Sequence, residues 1–458
     1  MANKLYEESS VSAIADAIRR KNGQATTYTI AEMAPAIDDI STEITITNGI
    51  ISSFLANSTT ISADTFVEFV NTSIADGMTA KNSKGISNTT FAYDHSCATA
   101  LDRTRVFLTY RTDSYLYGMI CIIRNKTFTT GTPVQISSDS NSYYASCAAL
   151  SSSKVFVAHR GVNDYLYGVV CTVSGSTITV GTDVQISTGA SAYDGLSLGV
   201  LEPDSVVVTH RNGNYLYGEV CLVSGTNITV GTSTQISNDS YSYTSSLAVL
   251  NPGFIFVSHR DSYGYLTGTV CSISGTTITP GTSTQLSNLS NSANESSTTA
   301  LNSRTVFVSH RGDSYLYGIV CTVSGLSITA GTDTQISSVS SSYTGSKSRA
   351  LDSEHVFVIH RNGNYLYGTL CSVSGTTITV GTDAQITTAT GSYNDTTLTA
   401  YDDNCVFITN RGGSYNLVGF IVGGDTKIEP SSSKIDGFTV SQATTTTAGN
   451  VWEFYDYS

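Results

Sequence analysis

The stretch "RTVFVSHRGDSYLYGIVCTVSGLSITAGTDTQIS", Arg304–Ser337, decides the fold, because the chain carries seven related copies of it. The arginine before the first turn recurs at Arg111, Arg160, Arg211, Arg260, Arg311, Arg361 and Arg411. The tyrosine after it falls at Tyr115, Tyr165, Tyr215, Tyr265, Tyr315, Tyr365 and Tyr415, a constant step of fifty. Gly131, Gly181, Gly231, Gly281, Gly331 and Gly381 keep that step, as do Gln135, Gln185, Gln235, Gln285, Gln335 and Gln385. Composition alone does not hold a period this tightly, so each copy is a structural unit.

Within a copy the pattern predicts four short strands. Strand a is a small-residue segment, "STTAL" (Ser297–Leu301), and strand b is "TVFVSH" (Thr305–His310). Strand c is "YLYGIVCTV" (Tyr315–Val323), and a Ser-Gly turn leads to strand d, "SITAGTDTQI" (Ser327–Ile336). Strands b and c are almost continuously apolar, which suits sheets covered on both faces. Four strands per repeat of roughly 40–50 residues is the arithmetic of a β-propeller. Separate sandwiches would need roughly 100 residues each.

The expected fold is therefore all-β, a seven-bladed β-propeller of four-stranded blades. A ring must close, or two sheet edges stay open. "MTAKNSKGISN" (Met78–Asn88) aligns with strand d of the repeats and precedes the first strand a. It is expected to pair beside Tyr415–Val422 of the seventh copy. That copy has decayed: Asn410 replaces His, Asn416 is inserted and Ile421 replaces Cys. The alternative is eight blades, with Thr65–Ile86 and Phe438–Tyr457 sharing a composite blade. The expected organisation is a helical attachment segment over 1–41, a small β module over 42–77 pairing with 437–458, and the propeller over 78–436.

Bulk properties narrow the function. Only 13% of residues are charged, yet the 40% hydrophobic content argues for a folded chain. The net charge of −13, with no basic cluster beyond Arg19-Arg20-Lys21, argues against nucleic acid as a partner. No apolar run approaches the roughly 18 residues of a membrane span, so no membrane insertion is expected. "MANKLYEESS" does not read as a Sec-type signal peptide, so synthesis in a cytosol is expected. Cys121, Cys171, Cys221, Cys271, Cys321 and Cys371 recur once per repeat. Equivalent positions in neighbouring blades lie roughly 10 Å apart, beyond the roughly 7 Å a disulfide spans. Buried free thiols are expected.

Residues 1–41 carry the helical signals. Val11, Ile14, Ala15 and Ile18 have i, i+3, i+4, i+7 spacing, and Asn22-Gly23 supplies a C-cap. "TIAE" (Thr29–Glu32) reads as a second helix start. Val11, Ile14 and Ile18 form the expected assembly stripe. "VSAIADAIRRKNGQATTYTIAEMAPAI" resembles the helical opening of many tail-associated proteins of bacteriophages infecting Gram-positive bacteria. "ISADTFVEFVN" (Ile61–Asn71) and "KIDGFTVSQATTTTAGNVWEFY" (Lys434–Tyr455) resemble short β modules that bracket propeller repeats in such proteins, and the repeats are similar too. The resemblance implies a tail-tip, fibre or baseplate component of the virion, made in the host cytoplasm, homo-oligomeric when assembled. It would bind other tail proteins through its N-terminus and present the propeller to the host surface.

In a propeller the b–c and d–a connections share one face. Here the opposite turns are short and uniform, such as "LNSR" and "VSGTT", while the d–a connections differ from blade to blade. Examples are "SSDSNSYYAS", "SNDSYSYTSS" and "TTATGSYNDTT"; the b–c loops "GVND", "NGN" and "DSYG" vary as well. Tyr, Ser, Asn and Asp give such a surface rigid aromatic area and adaptable hydrogen bonding. Sugar rings suit it, so the expected partner is a host surface glycan or a teichoic-acid-like polymer. Tyr143, Tyr144, Tyr193, Asp194, Tyr241, Tyr243, Tyr343, Tyr393 and Asn394 are the candidate ligand-binding residues. Tyr93, Tyr143, Tyr193, Tyr243, Tyr343 and Tyr393 keep the repeat, which either blade packing or a ring of similar contacts would explain. The arginine row either bonds a neighbouring blade's carbonyls or a carboxylate, or forms a ring for an anionic ligand such as a teichoic-acid phosphate.

His159, His210, His259, His310 and His360 share one strand-b position, too dispersed for metal ligands about 2 Å from one ion. They are expected to hydrogen-bond within the core. Departures from the repeat do not converge on a carboxylate pair, and no nucleophile elbow, HExxH or P-loop occurs. No catalytic residue, metal or cofactor is expected. A purely structural tail component is the alternative function, and a glycan-degrading enzyme the lesser one.

Overall fold

In a computed structural model the chain forms a seven-bladed propeller. The structure describes residues 81–87, 96–112, 115–124, 126–139, 142, 144–187, 189, 195–240, 245–289, 295–387, 396–402, 405–411 and 417–423. Beyond these it describes strands Ile50–Leu55, Thr59–Ile61, Phe66–Asn71, Thr426–Pro430, Phe438–Thr439, Thr444–Thr446 and Val451–Tyr455. The helical signals over 1–41, with Val11, Ile14 and Ile18, lie outside the described residues. Two compact units result, residues 1–70 with 426–458, and residues 71–425. In the first, Ile50–Leu55 pairs with Val451–Tyr455, and Thr59–Ile61 with Thr444–Thr446.

Blade 5 shows the plan. Strands a (Ser297–Asn302), b (Thr305–Gly312) and c (Tyr315–Ser324) run antiparallel in that order. Strand d, expected as one element, is broken into Ser327–Ala330 and Thr334–Ser337, both paired with strand c. Ala330 faces Cys321 and Thr334 faces Gly318, so three residues, Gly331–Asp333, oppose two. This is a bulge, and the periodic glycine opens it. A Cβ on Gly331 would lie 2.7 Å from the Val320 carbonyl oxygen, the atom that accepts from the Gly331 N–H. The glycine in "YLYG" has a different task. On Gly318 a Cβ would stand 2.9 Å from the ring of Phe307.

Blade 7 takes strands a–c from Thr397–Asp402, Cys405–Arg411 and Leu417–Gly423, and its outer strand from Lys81–Ser87. Leu417 faces Ser87 and Ile421 faces Lys81. The ring thus closes at the expected seam, with seven blades and not eight. Phe66–Asn71 instead lies between Thr426–Pro430 and Phe438–Thr439 in a separate sheet.

The core lies between blades, not within them. Phe307, Leu316 and Val320 of blade 5 pack with Val356, Val358 and Cys371 of blade 6. At the seam Ile86 joins Val106, Phe128 and Phe407, the two rings meeting edge to face at 5.2 Å. Each periodic cysteine belongs to a different cluster. All six are free and buried, and burial pushes their thiols up to about 12.

Strand a is a sheet edge with no strand beyond it, and side chains of the preceding blade complete it. The Thr299 hydroxyl accepts from the Ala350 N–H at 3.0 Å, and Ser297 Oγ accepts from the Ser348 N–H at 3.0 Å. Thr99 does the same for Ala149, and Ser197 for Leu247. This explains the small polar composition of the segment: the edge needs hydroxyls, and the narrow axis needs small groups.

Candidate functional site

The loop face rests on a repeated frame. The Nε2 amide of Gln335 donates to the Ser337 carbonyl at 3.2 Å, and the other five periodic glutamines repeat the bond. The residue receiving it then fixes the loop. Ser187 Oγ accepts from the Leu166 N–H and Thr387 Oγ1 from the Leu366 N–H, tying the exit of strand d to the start of strand c. Beyond this point the loops diverge.

The histidine row lies beneath the loops. His159, His210, His259, His310 and His360 are all buried, and each ring Nδ1 donates to the carbonyl of the following arginine. The partner on the other side changes. His159, His310 and His360 face Asp183, Asp333 and Asp383, the last residues of their bulges. His210 instead meets Glu219 on strand c at 2.8 Å, with both side chains fully buried. His259 meets Thr269 at 2.9 Å, and Thr269 in turn meets Ser283 at 2.8 Å. Burial lowers the His259 pKa, against its hydrogen bond to Arg260 and the nearby acids. For Asp383, burial acts upward but the bonds from His360 and Thr369 outweigh it, so the carboxyl sits below its usual range.

The arginine row braces the turns of its own blades. Arg311 and Arg361 donate from Nε to the Asp313 and Gly363 carbonyls, at 2.7 and 2.6 Å. Arg160 pairs with Asp164. In blades 2, 3, 5 and 6 the arginine thus meets a carbonyl or carboxylate of its own b–c turn, where a neighbouring blade's carbonyl or a carboxylate was expected.

Two kinds of b–c turn result. Blades 3 and 6 use two-residue hairpins with Gly213 and Gly363 at φ 61°, the left-handed geometry such turns require. Blades 2 and 4 carry one residue more. In blade 4 Asp261 Oδ1 accepts from the N–H groups of Tyr263 (2.9 Å) and Tyr265 (2.7 Å), and Gly264 sits at φ 93°. The turn so fixed lifts the Tyr263 side chain into solvent, 85% exposed.

Among the residues singled out from the sequence, the structure describes Tyr144 and Tyr343. Tyr144 is half-buried with φ 50°. Tyr343 is half-buried against the core between blades 5 and 6, and the Arg311 guanidinium lies 4.5 Å from its ring centre. Its loop spans both blades: Ser342 Oγ accepts from the Leu316 N–H, and the Ser342 carbonyl accepts from the Arg361 N–H. Tyr143, Tyr193, Asp194, Tyr241, Tyr243, Tyr393 and Asn394 lie outside the described residues. Tyr263 escapes sequence reasoning because it is off the fifty-residue step that drew attention to the other tyrosines. The signal was the extra residue between Arg260 and Tyr265, absent between Arg311 and Tyr315.

No protein-family model matches the chain, and no curated protein does. Solved structures do. A protein from Lactobacillus plantarum matches with TM-score 0.51 and 12% identity, over 63% of this chain and 84% of that one. The Aleuria aurantia lectin, solved as a mutant in complex with Fucalpha1-6GlcNAc, gives 0.43 and 15%, over 65% and 98%. AofleA from Arthrobotrys oligospora gives 0.43 and 12%, over 67% and 92%. These likenesses concern the fold.

Proposed function

We propose that the chain is a carbohydrate-binding propeller that recognises a bacterial surface glycan or wall polymer through its loop face. Tyr263 carries the reading. A large aromatic ring held by a turn and left 85% in solvent has no packing task, and it stands on the face where the loops differ. An apolar ring face beside hydroxyl- and amide-rich loops is the chemistry that stacks on sugar C–H surfaces and bonds hydroxyls. The Arg311–Tyr343 pair offers a second aromatic with a charged donor at its side. Single contacts of this kind are weak, because ordering costs consume most of the gain. Several copies on one particle would raise retention by about 10²–10⁴.

The setting that suits such weak, repeated sites is a phage tail, and the flanking motifs at 11–37, Ile61–Asn71 and Lys434–Tyr455 support that placement. Binding, not turnover, is the proposed activity. A glycan array of bacterial surface sugars, probed with the wild type and Tyr263→Ala, tests it. Binding by the wild type that the variant loses supports the reading. Equal binding by both would remove Tyr263 from the site, and no binding on arrays that include the producing phage's host polymer would favour a structural tail component.

A further inference from the structure

The seven a strands enclose an axial cavity of about 490 Å³, and one of its lining residues breaks the repeat. Opposite the central residue of each strand b stands one a-strand position, occupied by Thr99, Ala148, Gly199, Ala248, Thr299 and Thr399 in six blades. In blade 6 the same position is Arg349, facing Phe357. A guanidinium therefore sits where every other blade places a hydroxyl, a methyl or a hydrogen. Two residues before it, Lys347 replaces the Ser, Thr or Cys of the other blades. Among the described residues no acid lines the cavity, although the chain as a whole carries −13.

Arg349 has no hydrogen bond or ion pair with a described residue. Its surface remains open to solvent, and that solvent is the cavity's. Arg349 thus offers an open guanidinium to the water of the cavity, with no carboxylate of the described lining beside it. The ring also holds spare donors. Thr99 and Thr299 accept backbone N–H bonds through their oxygens, so each hydroxyl proton is left to donate.

We propose that the axial cavity binds a small oxyanion on Arg349, either a free phosphate or the carboxylate of an acidic sugar. The guanidinium fork fits two oxygens of either group, and threonine hydroxyls of the same ring reach for the rest. The site is independent of the loop-face reading and uses none of its residues. Bound anion supplies the charge that the blade sequences omit, so it stabilises the folded ring in proportion to its occupancy.

Thermal melting at constant ionic strength in chloride tests this, with inorganic phosphate, glucuronate and glucose as probes. Arg349→Thr is the main variant, since threonine already occupies that position in blades 1, 5 and 7. Arg349→Lys retains charge without the fork. The wild-type midpoint should climb with phosphate or glucuronate and not with glucose, and Arg349→Thr should weaken the response roughly tenfold or more. Arg349→Lys should fall between. A response to phosphate alone identifies a free oxyanion as the occupant, and one to glucuronate as well admits an acidic sugar. No response to either anion in the wild type, or an equal response in Arg349→Thr, overturns the site. Should Arg349→Thr melt early in chloride, Arg349→Lys decides by the same comparison.

Discussion

The frame of each blade and the face it carries obey different rules. In the frame, the strand-b histidine is served by three different partners in adjacent blades, yet both its ring nitrogens are bonded in each. On the face, an added residue in the b–c turn of blade 4 is absorbed by the turn's own bonds to Asp261, and a tyrosine ends in solvent. The frame tolerates exchange only when the bonding is conserved; the face accumulates change because no neighbour depends on it. Function that requires variation belongs on the second surface.

The largest expected effect comes from removing the seam. A chain of residues 72–425 should melt cooperatively, whereas 90–425 lacks Lys81–Ser87 and leaves the apolar strand Leu417–Gly423 as an open edge. Calorimetry showing equal cooperativity in both would mean that the ring does not need its closing strand.

Next is the buried pair of blade 3. Glu219→Ala strands His210 and should cost about 3–5 kcal/mol, read from denaturant midpoints. Glu219→Thr rebuilds the set of blade 4, because Ser233 stands where Ser283 bonds Thr269. It should recover most of the loss. If both variants lose the same stability, the partners are not interchangeable and the rule proposed for the frame fails. Gly331→Ala should follow at about 1–3 kcal/mol, since its methyl would press on the Val320 carbonyl. A neutral outcome would mean that the bulge can relax.

A smaller effect separates the blades by pH. His259 has a folded pKa below its ordinary 6.5, so the unfolded chain takes up the proton first. Its contribution is present above pH 6.5 and is lost as pH falls through the lowered folded value. His259→Asn, which copies the residue at Asn410, should flatten the midpoint's decline on that side. An unchanged pH profile would assign the decline to other groups. The smallest change in stability belongs to the face: Tyr263→Ala should shift unfolding by less than about 0.5 kcal/mol. A larger loss would make Tyr263 part of the frame.

The sequence exposed the frame almost completely, because periodic residues in a ring of identical blades perform periodic tasks. The histidines, the buried cysteines, the blade count and the seam all read out from the fifty-residue step. The break in strand d did not, since "SITAGTDTQI" has an unbroken β pattern and only the approach of the Val320 carbonyl reveals why Gly331 interrupts it. Arg349 and Tyr263 were hidden for the opposite reason. Each is a single departure, and departures are silent until the fold shows whether they meet a cavity, a neighbour or water.

The N–H groups of strand a in blades 2, 4, 5 and 6 are met by hydroxyls of the blade before, as Ala350 is by Thr299. A duplicated blade 5 would therefore still offer Ser297 and Thr299 to the inner edge that follows it. A length change within a strand a, unlike one in a loop, would shift donor against acceptor. Unequal recombination between such repeats is thus a large rearrangement the inner edge can accept, and it would exchange loop sets wholesale. The same register that makes the ring rigid gives its binding face a means of changing in blocks.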